Sequence, residues 1–155
     1  MKYGIHHEAD GVTCYEQLKQ TKVERTGIHM LPCGFIGASP DGLVAENKII
    51  EVKCAFSLRK MQFDEALKSN NCIFCYQSGS DLVLKAIHDY YHQIQGILHI
   101  TGRDACDLIY WTKKWQKVVQ VRVDPDWKGN IDLLKMFYTE HLLPFLLKDT
   151  AAKSA

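Results

Sequence analysis

Apolar residues recur at helical spacing from Gly4 to about Lys19, where Ile5, Ala9, Val12, Tyr15 and Leu18 form one stripe. The spacing predicts a helix, and Glu8 falls on that stripe one turn from both Ile5 and Val12. A linker or short strand (Val23–Thr26) then leads to Pro32, and Phe35–Ala38 reads as a short strand. Ser39-Pro40-Asp41-Gly42 is a turn: Pro fixes φ, Asp caps the turn, and Gly tolerates a positive φ. Leu43-Val44 is extended, Ala45-Glu46-Asn47-Lys48 turns again, and Ile49–Cys54 is a strand. On it Ile50 and Val52 share an apolar inner face, with Glu51 and Lys53 together on an outer one. Leu58–Leu67 predicts a short helix, and Cys72–Gln77 with Asp81–Lys85 two strands around Ser78-Gly79-Ser80. Ala86–Thr101 has the most regular helical repeat, carried by Ile87, Tyr90, Tyr91, Ile94, Ile97 and Leu98 and stopped by Gly102. Cys106–Thr112 and Lys117–Val123 alternate as strands, read as an antiparallel pair added to widen the sheet. Asp124-Pro125-Asp126-Trp127 leads into an amphipathic helix over Ile131–Leu147, interrupted near Pro144, and Lys148–Ala155 is expected as a flexible tail.

Composition narrows the class. At 155 residues, 46% hydrophobic and 24% charged, the chain reads as one soluble domain over residues 1–147. No apolar run approaches the roughly 20 residues of a membrane span, and Met1-Lys2-Tyr3-Gly4 has no signal-peptide pattern. Six scattered cysteines in a domain of this size then read as reduced, and the protein as intracellular, cytoplasmic or nuclear, and not secreted. The net charge of +1 excludes a global basic field, so nucleic-acid affinity would have to be local. Lys113, Lys114, Lys117, Arg122 and Lys128 are one candidate patch, although composition favours a solvated edge. Trp111 and Trp115 could stack on bases, but packing is the preferred reading.

Candidate chemistry centres on Asp41. A fold-back across nine residues would bring its carboxylate to Glu51, with Lys53 beside them. Two carboxylates that close repel unless a cation lies between them, and hard oxygen ligands on a short turn suit Mg²⁺. Such an ion activates water and stabilises phosphoryl charge, while Lys53 holds the water or the phosphate. Glu8 either snorkels from the edge of its stripe or binds a cation. Cys72, Cys75, His88 and His92 have the ligand spacing of a C₂H₂ zinc finger. Gly79 and Lys85 occupy the places where a finger needs a large aromatic and a Leu, so buried or half-buried reduced cysteines are the preferred reading.

Pro40-Asp41 followed by Glu51-Val52-Lys53 resembles the PD-(D/E)XK nuclease signature. The fuller string G-A-S-P-D-G-L-V…I-I-E-V-K-C resembles, more narrowly, the lambda-type exonuclease (YqaJ-like viral recombinase) family. Gly4…Glu8 resembles the family's G-x-x-x-E-x-A, with the Ala one place early at Ala9; Tyr90, Gln93 and Gln95 match its Y-x-x-Q-x-Q. Ala55 stands where the family usually has proline, and F-Y…H-L-L-P is similar to the closing helix of eukaryotic and viral relatives. In the family, further helices precede the G-x-x-x-E element and supply basic residues that grip a 5′ phosphate end; here the element begins at Gly4, so this is either a shortened version or part of a longer natural chain.

The resemblance implies an α/β fold, a restriction-endonuclease-like core whose mixed central β-sheet is flanked by helices. It implies a Mg²⁺-dependent deoxyribonuclease, with Mn²⁺ able to substitute, acting 5′→3′ on double-stranded DNA ends in recombination or in viral or mobile-element DNA processing. Partners would be a single-strand annealing protein and, as a homotrimer, two further copies. Glu8, Asp41, Glu51 and the Val52 carbonyl would hold metal; Asp41, Glu51, Lys53 and Gln93 would be catalytic; Ser39, Tyr90 and Gln93 would touch DNA. An endonuclease or junction resolvase of the same superfamily is one alternative. A non-catalytic nucleic-acid-binding module, with or without zinc, is the other.

Overall fold

A computed structural model describes residues 2–69 and 74–153. Its elements are helix α1 (Lys2–Lys19), strands β1 (His29–Met30), β2 (Gly37–Ala38), β3 (Gly42–Val44) and β4 (Lys48–Cys54), and helix α2 (Phe63–Lys68). Strands β5 (Cys75–Ser78) and β6 (Asp81–Leu84), helix α3 (Asp89–Thr101), strands β7 (Ala105–Trp111) and β8 (Gln116–Arg122), and helices α4 (Gly129–Phe137) and α5 (Leu143–Lys153) follow. The main sheet has the order β3-β4-β7-β8, with β4 and β7 parallel and the outer pairs antiparallel. Joining β4 to a parallel β7 demands a long crossover, supplied by α2, the β5–β6 hairpin and α3. The fold is therefore the mixed α/β sheet flanked by helices.

Every residue of β7 is buried, because it has a strand on each edge and a helix on each face. β7 and β8 are thus not a pair added at the margin: β7 lies at the centre of the sheet. The face of Ile49 and Leu108 packs on Ile94, Ile97 and Leu98 of α3. The face of Ile50, Val52 and Ile109 packs on Tyr15 of α1. Glu51 and Lys53 share the face of Ile49, so the side expected to be outer lies under α3.

Helix α1 is rotated from its expected stripe. Gly11 and Tyr15 are buried, whereas Ile5 (74%) and Leu18 (63%) are exposed. A Cβ on Gly11 would come within 2.7 Å of Val52 Cγ1, so the missing side chain lets the helix lie directly on β4. The Tyr15 hydroxyl donates to buried Asp107 at 2.6 Å, which holds that face inward. Glu8 is left on the exposed rim of the helix.

Gly42 also differs from expectation. Its φ is not positive; a Cβ there would lie 2.2 Å from Val23 Cγ1, so it is needed for close approach. Val23–Thr26 forms only a bridge, at Glu24 with Leu43. Near Pro144 the helix widens instead of breaking, into a π-turn over Tyr138–Leu142. Proline there has no N–H and its ring crowds the carbonyl of Glu140 four residues back. Helical structure continues to Lys153, where a tail from Lys148 is expected. In the candidate basic patch, the Lys117 ammonium lies 4.3 Å over the Phe63 ring and Lys114 Nζ donates to the Lys60 carbonyl. Trp111 is buried, and Trp115 Nε1 donates to the Met61 carbonyl at 3.1 Å. Among the described residues, no helix is long and apolar enough to cross a membrane.

Candidate active site

Strand β3 covers β4 only as far as Ile50, so the edge of β4 lies open from Glu51 onward. The turn before β3 fills that gap with a side chain: Asp41 Oδ2 accepts from the Val52 N–H at 2.7 Å. In an extended strand a residue's N–H and C=O leave by the same edge, so the Val52 carbonyl also faces this gap. Buried Pro40 and crowded Gly42 fix the backbone on either side of Asp41.

Glu51 is 4% exposed, and its two oxygens are treated unequally. Oε1 accepts from Lys53 Nζ and from Gln93 Nε2, both at 2.8 Å, and Lys53 Nζ also donates to Gln93 Oε1 at 3.0 Å. The three side chains close a ring, and the Tyr90 ring covers the Lys53 ammonium at 5.0 Å. Helix α3 is set for this by His88, whose ring accepts from the Tyr90 N–H at its first turn. Glu51 Oε2 is buried with no hydrogen-bond partner among the described residues.

Burial raises the Glu51 carboxyl above the ordinary range, and the charges of Asp41 and Glu8 push it the same way against Lys53. Burial also raises Asp41, opposed by the Val52 N–H and Lys53. Glu8 is raised by desolvation and then by Asp41, with Lys53 and Arg25 pulling it back. Glu8 and Glu51 therefore both sense the charge of Asp41. Among the described residues no three such groups stand close enough to cage an ion as they are. The donor set nonetheless suits a hard cation: an orphaned buried carboxylate oxygen, the second oxygen of Asp41, a backbone carbonyl, and Glu8 across the cleft.

That cleft, about 530 Å³, runs between α1, residues 23–26 and the Ser39–Asp41 turn, and Glu8 lines it. Ser39 forms the wall between it and a second groove that Gln93 and Trp127 line, and its Oγ donates to the Gly27 carbonyl at 3.3 Å. Gln95, in contrast, is fully buried away from the site, bonded to the Arg122 carbonyl and the Asp124 N–H.

Among the described residues the zinc candidates form no metal-binding cluster. Cys72 lies outside the described residues, and Cys75 packs in the core beside Phe74 and Leu84. His88 caps α3, and His92 Nδ1 accepts from Trp127 Nε1 at 3.0 Å. Two contributors to the cleft are not singled out by sequence reasoning. Gly11 allows α1 its approach, and Arg25 is the only basic residue among the described residues lining the cleft. The alternation of Val23 and Arg25 in a short extended stretch is the only signal for the latter.

Comparison with known proteins bears on the fold and the family. The alkaline exonuclease LHK-Exo of Laribacter hongkongensis superposes with a TM-score of 0.69 at 25% identity, over 97% of this chain and 73% of that one. The same enzyme in complex with dAMP gives a TM-score of 0.72 at 26% identity, over 100% of this chain and 75% of that one. A phage-related exonuclease from Haemophilus somnus 129PT shares the fold, with a TM-score of 0.58 at 15% identity over 84% of this chain and 65% of that one. No curated protein sequence matches the chain. The profile of the YqaJ-like viral recombinase domain matches residues 1–104, and the chain belongs to that family.

Proposed function

We propose that the chain is a divalent-metal-dependent deoxyribonuclease that degrades linear duplex DNA from its ends, 5′→3′, in recombination or in viral or mobile-element DNA processing. The observation that carries this reading is Glu51: buried, held through one oxygen by Lys53 and Gln93, with the other left open beside Asp41. Family membership and the likeness to an alkaline exonuclease support the same chemistry. In this reading residues 1–147 are one nuclease domain, acting inside the cell with a single-strand annealing protein and as a homotrimer.

Glu51 Oε2, Asp41 and the Val52 carbonyl would hold Mg²⁺ or Mn²⁺, with Glu8 completing the set from α1. The cation supplies an acidified water and relief of phosphate charge. Lys53 positions or deprotonates the attacking water, and the ring it forms with Glu51 fixes its ammonium in place. Gln93 can donate and accept at once and orients water or phosphate. Ser39 and Tyr90 lie beside these groups as contacts for the DNA backbone. Asp41 has a second duty, holding the open edge of β4 through the Val52 N–H.

The test is digestion of 5′-phosphorylated linear duplex with Mg²⁺ or with EDTA, beside Asp41→Ala and Lys53→Ala and a closed circle of the same sequence. Loss of the linear DNA from its 5′ ends, survival of the circle, and a rate at least about 10³-fold lower in both variants are expected. Cutting of the circle would move the protein to the endonuclease class. Binding without cleavage at any metal concentration would leave a non-catalytic nucleic-acid module.

A further inference from the structure

The charged residues lining the cleft are the acids Glu8, Glu16 and Asp41 and, as the single base among the described lining residues, Arg25. The backbone around that base is tied down on every side. The Val23 N–H donates to Glu16 Oε1 at 2.9 Å, which fastens the segment to α1. Glu24 and Leu43 exchange two backbone hydrogen bonds of 2.9 Å, which fasten it to β3. Thr26 Oγ1 lies 2.8 Å from His29 Nε2, and the Gly27 carbonyl accepts from Ser39. The Arg25 side chain is treated differently. It lowers the Glu8 carboxyl through its charge, yet forms no hydrogen bond or ion pair with any described residue. Lys53, the other cation of the site, is already engaged by Glu51 and Gln93.

A fixed backbone that presents an uncommitted guanidinium over an acidic cleft is organised for an anion that arrives with the substrate. Guanidinium offers a planar fork of donors that matches two oxygens of a phosphate, and the backbone that carries it is fixed before binding. We propose that Arg25 is a substrate-positioning residue. It grips a backbone phosphate of the strand being cut, on the α1 side of Asp41 and Glu51, and so sets the register of the scissile phosphate. The assignment rests on the nuclease reading above.

The test uses a short fluorescent duplex with Ca²⁺ in place of Mg²⁺, titrated over a range of salt, for the wild type, Arg25→Ala and Arg25→Lys. Arg25→Ala is expected to weaken binding about 10-fold and to reduce the magnitude of the salt slope by about 0.9, the value of one phosphate contact. Arg25→Lys should restore the slope but only part of the affinity, because a point charge replaces the fork. Affinity for Mn²⁺, read by its paramagnetic resonance signal, should change less than about 2-fold, and in cleavage KM should rise more than kcat falls. Wild type that binds while Arg25→Ala matches it in affinity and slope would overturn the assignment alone. So would an Arg25→Ala variant whose main loss is in Mn²⁺ affinity, which would make Arg25 a support for Glu8. Wild type that binds no duplex would overturn the nuclease reading, and the assignment with it.

Discussion

Strands β4 and β7 each bury a carboxylate, one register position apart and therefore on opposite faces of the sheet: Ile50 pairs with Asp107, and Glu51 with Leu108. Asp107, 2% exposed, is fully provided for. Its Oδ2 accepts from the Tyr15 hydroxyl at 2.6 Å and Lys48 Nζ at 3.1 Å, and its Oδ1 from Gln120 Nε2 at 3.4 Å. Those bonds tie α1, β4 and β8 to the central strand. Burial and the bond to Asp107 push the Tyr15 hydroxyl far above its ordinary range, so it stays a donor. Glu51 is as deeply buried, but its donors converge on one oxygen and leave the other bare. A buried carboxylate with both oxygens satisfied is part of the frame. One with an open oxygen, a raised proton affinity and a second carboxylate beside it is the one that, in the proposed reading, a cation completes.

The comparison breaks if the two acids respond alike to neutralisation. Glu51→Gln is expected to lower the cleavage rate by at least about 10³-fold with no loss of melting temperature, because a hard-cation ligand is removed and an unfavourable buried charge goes with it. Asp107→Ala should do the reverse. Leaving Lys48 and the Tyr15 hydroxyl without their acceptor costs about 3–5 kcal/mol, a fall in melting temperature on the order of 10 °C for a chain of this size. Below its melting point that variant should still cut. Paired thermal melts and single-turnover cleavage assays check both, and an Asp107→Ala protein that is stable but inactive would erase the distinction.

Proton linkage sharpens the same contrast. Glu51 and Asp41 are raised above their unfolded values in the folded protein. With EDTA present the folded state thus holds more protons, and stability should fall as pH rises from the ordinary carboxylate range through the raised folded values. Stabilisation by Mg²⁺ should grow across that same window, since the ion competes with those protons. Melting temperatures from pH 4.5 to 8 with EDTA or Mg²⁺ read this directly. Glu51→Gln should flatten both trends, and a wild-type melting temperature that ignores pH and Mg²⁺ alike would mean that no ion displaces these protons.

How much of this lay open in the sequence follows from the range of each interaction. Asp41, Glu51, Lys53 and Gln93 lie on one hairpin and one regular helix, where turn chemistry and periodicity act over a few residues, and the structure brings them together. The central place of β7 was hidden, because alternation marks a strand without saying which strands flank it, and its parallel neighbour β4 lies far back in the sequence. The rotation of α1 depends on a side chain that is absent at Gly11 and on a bond from Tyr15 to a residue 92 positions away. Gly42 looks like a glycine chosen for φ until Val23 is seen against it. Arg25 resembles any surface arginine until Glu16, Leu43 and Ser39 fix the backbone around it.

Gly11 offers the finest test of how frame and site are joined, because it lies on α1 between Glu8 and Tyr15. Alanine there gains helix propensity of about 1 kcal/mol but drives a methyl into Val52 Cγ1, an overpacking cost of about 1–3 kcal/mol. The melting temperature should therefore move by only a few degrees. Glu8 is carried one turn away on the same helix, and a lift of α1 from β4 withdraws its carboxylate from Asp41. Mn²⁺ affinity should fall by up to about 10-fold, the size of effect expected when a ligand's support shifts and the ligand remains. Val52→Ala removes the atom that the new methyl meets and keeps the backbone carbonyl, so adding it to Gly11→Ala should restore most of the metal affinity. Restoration would show that the distance between α1 and β4 sets the reach of Glu8; equal affinity in the single and double variants would mean that Glu8 reaches the site whatever the seating of its helix.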